Sequence, residues 1–248
     1  ARYIPPMSFS PPVTPPLEVL PVLRARGYAV LSRAGLCELV DAPAHSLDSL
    51  LPTWNDLPPD GYLRDGGRYR SRRHSCFVVD GASVTQVPHR AHWQPVEYNA
   101  LHGGLERWFE PITPAVISQA VWSKLLSGLA RCCSELKGAQ PWYVEAHQFR
   151  IDTTDGIGRP TPEGAHRDGV DFVAVLLMGR QDIKGGETRV FEAAGPQGIR
   201  FTLTEPWSAL LLDDERVIHE STPIQPLGEK GHRDTLVLTF RAKGFQGP

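Results

Sequence analysis

Cysteine is scarce in this chain. There are four in 248 residues, Cys37, Cys76, Cys132 and Cys133, and no two stand in C-x-x-C spacing. That excludes a disulfide framework of the secreted type and fits a reducing, cytoplasmic setting. The adjacent Cys132 and Cys133 fall in a helical pattern and read as buried thiols. An excess of either charge is also missing: 26 Lys and Arg face 28 Asp and Glu, a net charge of −2. The basic residues are dispersed, so the pattern offers no nucleic-acid surface. No apolar run reaches the length of a membrane span. The opening Ala-Arg-Tyr-Ile-Pro-Pro lacks the apolar centre of a signal peptide. The partners expected from composition are small molecules, with neither nucleic acid nor membrane among them.

What the chain has is a hydrophobic content of 41%, with 23 Pro and 23 Gly. That is enough for a core in one β-rich domain of ordinary size. A single domain over 1–248 is expected, with a Pro-rich arm at 1–16, a helical and strand support region at 17–139, and a catalytic core at 140–245. The arm cannot be helical; it could wrap the body or a second subunit, as in a homodimer. Thr14 is placed to cap a helix running to Gly27. Tyr28–Leu31 reads as a strand and Ser32 as the cap of a helix through Leu39. Residues 42–62 read as a loop that Trp54 would anchor. Thr113 and Pro114 open the clearest helix, 113–137, which Gly138 stops. From Trp142 onward the pattern is short strands and turns, the signature of a sandwich or barrel. The expected fold is mainly β (α+β): a double-stranded β-helix, or jelly roll of cupin type, with the N-terminal helices packed on its larger sheet.

The chemistry is concentrated between His166 and Arg233. In a strand, residues two apart share a face, so His166-Arg-Asp168 would present an imidazole and a carboxylate side by side. His219 follows the strand-like run Ala209–Asp213 and supplies a third ligand. Two His and one carboxylate on one side of a metal leave open positions opposite, which suits non-haem Fe(II) oxygenase chemistry. Arg233 precedes the apolar run Thr235–Phe240. If that run is a strand beside the His219 strand, Arg233 and Thr235 share a face and can clamp the far carboxylate of a diacid cosubstrate.

With this ordered set, the chain resembles the 2-oxoglutarate- and Fe(II)-dependent dioxygenases. Within them it looks nearest the bacterial group that includes the L-isoleucine hydroxylases. The match is carried by His147-Gln-Phe-Arg-Ile151, Pro162–Gly169, Gly185-Gly-Glu-Thr188, His219–Ile224 and Arg233–Phe240, and covers roughly residues 140–241. The resemblance implies that His166, Asp168 and His219 are the metal and catalytic residues. It also implies that Arg233 and Thr235 bind 2-oxoglutarate, and that a small substrate, a free L-amino acid, is hydroxylated with release of succinate and CO2. Because the imidazoles must be neutral to ligate, iron affinity should fall in acid. Two other readings stay open on sequence: a cupin-type metal isomerase or hydrolase, and a non-catalytic module that senses 2-oxoglutarate.

The substrate side is less defined. Arg68, Arg70 and Arg72 would share one strand face; Arg70 is the candidate for a substrate carboxylate, against a plain basic edge strand that discourages pairing. Gln148 is the second candidate, against a structural amide. His89 and His92 lack the partner pattern of a metal pair. Residues 81–111 are expected to form a wall or lid, and the loop 153–164 to close over substrate.

Overall fold

The computed structural model describes residues 9–248; the first half of the predicted arm lies outside them. Within the remainder of the arm, Thr14 N–H donates to Val30 O and Thr202 N–H to Phe9 O, so residues 9–14 run along the body.

Twelve strands follow in chain order: β1 (Tyr28–Leu31), β2 (Arg70–Asp80), β3 (Ser83–Gln86), β4 (Trp142–Asp152), β5 (Phe172–Gln181), β6 (Ile183–Gly185), β7 (Thr188–Glu192), β8 (Gly198–Phe201), β9 (Ala209–Asp213), β10 (Val217–Ser221), β11 (Ile224–Pro226) and β12 (His232–Arg241). Seven form one sheet in the order β1-β9-β5-β12-β4-β2-β3. Opposite it lie a three-stranded sheet, β10-β7-β8, and the pair β11-β6. Every strand pair is antiparallel. This is the jelly-roll double-stranded β-helix expected.

The helices are α1 (Val19–Arg26), α2 (Arg33–Val40), α3 (Ala44–Asp48), α4 (Pro114–Ile117) and α5 (Ala120–Lys137), with 3-10 turns at Pro16–Glu18 and Leu51–Asp56. Ser32 caps α2 as anticipated, its Oγ accepting from Gly35 N–H at 3.1 Å. Thr14 does not cap α1: the 3-10 turn Pro16–Glu18 intervenes and α1 begins only at Val19. The helix expected over 113–137 breaks at Ser118–Gln119 into α4 and α5. The 42–62 segment is not a plain loop, since it holds α3 and the 3-10 turn. Trp54 does anchor it, donating Nε1–H to Thr235 O at 3.1 Å.

One apolar core lies between these helices and the outer face of the large sheet, with Trp122, Leu125, Leu126 and Leu129 of α5 on Phe77, Val144, Leu236 and Leu238. Gly128 lets α5 approach α2; a Cβ there would stand 2.9 Å from Val40 Cα. A second, smaller core between the sheets joins Val173, Leu177, Leu210 and Leu212 to Val190, Phe201 and Val217. It fills the β1-β9-β5 side of the sandwich. A third cluster, Tyr69, Ile151, Ile183 and Ile224, lies under β6 and β11, and the cleft that holds the candidate site lies beside these cores.

Candidate metal centre and cosubstrate pocket

The candidate site lies in a cleft between the two sheets. His166, Asp168, His219, Arg233 and Thr235 all line it. His166 Nε2 lies 3.8 Å from Asp168 Oδ1, and His219 Nε2 lies 3.8 Å from Asp168 Oδ2. The three ligand atoms fall within 4.8 Å of one another.

The backbone reaches this arrangement by a different route from the one the sequence suggested. His166-Arg-Asp168 is not a strand. His166 makes an isolated bridge with His219, each N–H donating to the other's carbonyl at 3.0 Å, and Asp168 sits on the irregular turn beyond it. That turn is pinned by Asp214, a fully buried carboxylate. Asp214 accepts the backbone N–H groups of Asp168, Gly169 and Val170 at 3.1, 2.8 and 3.1 Å. Gly169 takes a φ of +76°, and a Cβ there would stand 2.3 Å from Tyr98, so only glycine fits.

Asp214→Ala strands three buried donors, each worth about 1–3 kcal/mol. Its melting temperature should fall, and iron affinity should drop ~10- to 100-fold as the ligand turn loosens. Thermal melts with an Fe(II) titration check this. Unchanged affinity would show that the turn holds itself.

The donor set fits a cation. His166 Nδ1 donates to Gly164 O at 2.9 Å, which leaves Nε2 to face Asp168. Burial pushes the Asp168 carboxyl up to about 7, and Asp214 and Glu163 add to this against the opposing pull of His166. Burial opposes protonation of His166, but Asp168 and Glu163 outweigh it and its pKa rises. Burial, then His166, drives His219 down. A buried carboxylate flanked by two further acids and two imidazoles is a site short of positive charge. Gln94 Nε2 donates to Asp168 Oδ1 at 3.3 Å and helps to aim it.

Arg233 and Thr235 stand on β12, which pairs with β4 and β5 and not with the His219 strand. The two motifs come from opposite sheets and meet across the cleft. The β12–β5 register shifts between Asp234 and Thr235, an irregularity of the kind that re-aims side chains beside sites. Arg233 is 3% exposed, and its Nε and Nη2 find no acceptor among the described residues. Burial, then Arg180, lowers its pKa to about 10. It remains a guanidinium waiting for an anion.

The two substrate candidates part company. Strand alternation on β4 turns His147, Phe149 and Ile151 into the cleft. Gln148 therefore faces the outer side, where its Nε2 donates to Thr53 Oγ1 at 3.0 Å. It is a structural amide and does not reach the cleft. Arg70 and Arg72 do line it. The reading of this run as a solvated edge fails for them, because the 58–60 segment pairs with that end of β2, Arg72 N–H donating to Pro58 O and Asp60 N–H to Arg70 O. Arg68 alone is exposed, paired with Asp155 at 3.0 Å.

Sequence reasoning missed a second cluster. His74, His92, Glu145 and His147 lie buried with their polar atoms within 4.8 Å of one another. Glu145 Oε2 accepts from His74 Nε2 at 2.9 Å and His92 Nδ1 at 2.6 Å. Only the i, i+2 spacing of Glu145 and His147 hinted at a shared face. His89 stays apart, donating to Phe109 O at 2.8 Å.

Burial drives the pKa of His74 down, that of His92 to about 3, and that of His147 well below the usual range. Although burial opposes it, Glu145 is held low by His92 and His74. All four groups bind fewer protons folded than unfolded. Stability is therefore full above about pH 6.5, where unfolded His is neutral. Below that it falls by about 1.4 kcal/mol per pH unit for each histidine. Glu145 adds to the loss below about pH 4.5. Melting temperatures should fall steeply from pH 7.5 to 5; a flat profile would contradict the assignment of neutral, buried imidazoles.

A profile of the 2OG-Fe dioxygenase family matches residues 51–239. No curated protein matches the chain. Among solved structures, a bsmA homolog from Methylobium petroleophilum PM1 is 54% identical, with a TM-score of 0.91 over 98% of this chain and 100% of that one. IDO from Bacillus thuringiensis is 18% identical, with a TM-score of 0.75 over 92% of this chain and 99% of that one. The Fe(II)/α-ketoglutarate-dependent dioxygenase TqaL is 19% identical, with a TM-score of 0.71 over 92% of this chain and 87% of that one. At those identities the last two speak to fold alone. No helix among the described residues is long and apolar enough to cross a membrane.

Proposed function

This chain belongs to the 2OG-Fe dioxygenase family, an Fe(II)- and 2-oxoglutarate-dependent oxygenase, and we propose that it hydroxylates a small substrate, a free L-amino acid, in the cleft described. The observation that carries this is the convergence of His166, Asp168 and His219 within 4.8 Å in the same cleft as the unpartnered Arg233.

In this reading His166, Asp168 and His219 hold the iron. Arg233 takes the far carboxylate of 2-oxoglutarate through its free Nε and Nη2, and Thr235, on the same face of β12, adds a hydroxyl. Bound iron with 2-oxoglutarate and O2 supplies oxidative decarboxylation to succinate and CO2, and transfer of one oxygen atom to a carbon of the substrate. The rest is positioning. Asp214 and Gln94 hold the Asp168 carboxylate in place. Pro160, Thr161 and Glu163 of the 153–164 loop, with Gln94 and Asn99 opposite, wall the reacting centre from bulk water. Arg70 faces the substrate side, where an amino-acid carboxylate would sit.

The test is a panel of free L-amino acids incubated with enzyme, Fe(II), 2-oxoglutarate and O2. A gain of one oxygen atom on one member, with matching succinate, is expected. Binding of 2-oxoglutarate without succinate from any member would replace the hydroxylase by a sensing module.

A further inference from the structure

The cleft wall built by β2, β4 and the segment after β3 carries three guanidiniums that iron and cosubstrate binding do not use. Arg70, Arg72 and Arg107 are 6%, 3% and 2% exposed, and all three line the cleft. Each is held by one strong contact. Arg70 Nε donates to Asp60 Oδ2 at 2.7 Å, Arg72 Nη2 to His147 Nδ1 at 2.7 Å, and Arg107 Nη2 to Gln94 Oε1 at 3.0 Å. Arg70 Nη2, Arg72 Nε and Arg107 Nε are left with no acceptor among the described residues. A charged donor shut away from water without an acceptor is costly. Three in one wall imply an acceptor that arrives from outside.

The guanidiniums are also fixed in place against their own repulsion. Burial, then Arg70, lowers the Arg107 pKa to about 10. Arg72 lies over the rings of Phe109 and Phe149, 3.8 and 4.4 Å from their centroids, which sets the plane of its fork.

The histidine cluster behind this wall supports an anion seat and opposes a second metal. Arg72 can only donate, so His147 Nδ1 accepts and its proton sits on Nε2, 3.8 Å from Glu145. His74 and His92 already aim their protons at the same carboxylate. A cation here would have to displace those protons and sit beside Arg72 and Arg107. The iron ligands, by contrast, stand beside Glu163 and Asp214.

We propose that Arg70, Arg72 and Arg107 form a seat for a carboxylate or equivalent oxyanion on the substrate, separate from the Arg233 clamp, which confines the substrate to acids. This deepens the hydroxylase reading and rests on it for the identity of the site as the substrate cleft.

The test is calorimetric titration of the anaerobic Fe(II) enzyme, saturated with 2-oxoglutarate so that Arg233 is filled. The probes are 3-methylbutanoate and 3-methylbutanamide, alike in shape and different in charge. The acid should bind about tenfold or more tighter than the amide, and in Arg107→Gln that gap should collapse. Should Arg107→Gln fail to fold, Arg72→Lys, which keeps charge and loses the fork, should narrow the gap instead. Equal binding of acid and amide, no binding of the acid, or a gap that survives the substitution would overturn the seat. Failure of the hydroxylase reading would show separately, as acid selectivity without succinate from any amino acid.

Discussion

Asp168→Ala is expected to abolish turnover of 2-oxoglutarate while leaving the fold intact. Removing one of three protein ligands from a catalytic metal takes away several kcal/mol of transition-state stabilisation, a rate loss of about a thousandfold or more. The fold should survive because the contacts that set the turn are made by the Asp168 backbone, whose N–H still reaches Asp214. The carboxylate itself is a burden on the metal-free protein, being buried beside Asp214 and Glu163. The metal-free variant should therefore melt no lower than the metal-free parent. Succinate assays with paired melts check both halves. Full activity would remove Asp168 from the ligand set, and a large fall in melting temperature would make it a structural residue.

The second large effect is on the cosubstrate. Arg233→Ala should weaken 2-oxoglutarate binding by about 2–4 kcal/mol, or ~30- to 1000-fold, and leave Fe(II) affinity nearly unchanged. The separation follows from topology: Arg233 stands on β12 in the large sheet, whereas His219 stands on β10 in the small one. The loss arises because the far carboxylate would lose the two unpartnered, buried N–H groups of Arg233, its Nε and Nη2. Anaerobic titrations of each component measure the two affinities. An unchanged 2-oxoglutarate affinity would move the clamp elsewhere, with Arg180 the nearest guanidinium by its effect on Arg233.

The pattern of residues made much of this legible. Alternation on β4 and β12 placed His147, Phe149, Arg233 and Thr235 on their faces correctly, because a half-buried strand writes its geometry into every second residue. It could not say which face of β4 looked inward, and Gln148 fell on the wrong side for that reason. The His-x-Asp spacing brought the proposed ligands side by side, but through a different backbone from the one expected. A strand and an Asp214-pinned turn both bring residues two apart together, and only the fold distinguishes them. Asp214 itself was unreadable, since its partners are backbone N–H groups that leave no mark on sequence. The histidine cluster and the Arg70, Arg72 and Arg107 wall join strands and a loop far apart in the chain. Pairing of that kind is a property of topology, and local periodicity carries no record of it. The break between α4 and α5 was hidden because the apolar spacing continues across it.

The most direct test of the metal centre is an anaerobic visible spectrum of the protein with Fe(II), before and after 2-oxoglutarate is added. A charge-transfer band that appears only with both, at one equivalent of iron per chain, is predicted for the parent, and its loss is predicted in Asp168→Ala. No band in the parent, or an undiminished band in the variant, would contradict iron held by His166, Asp168 and His219.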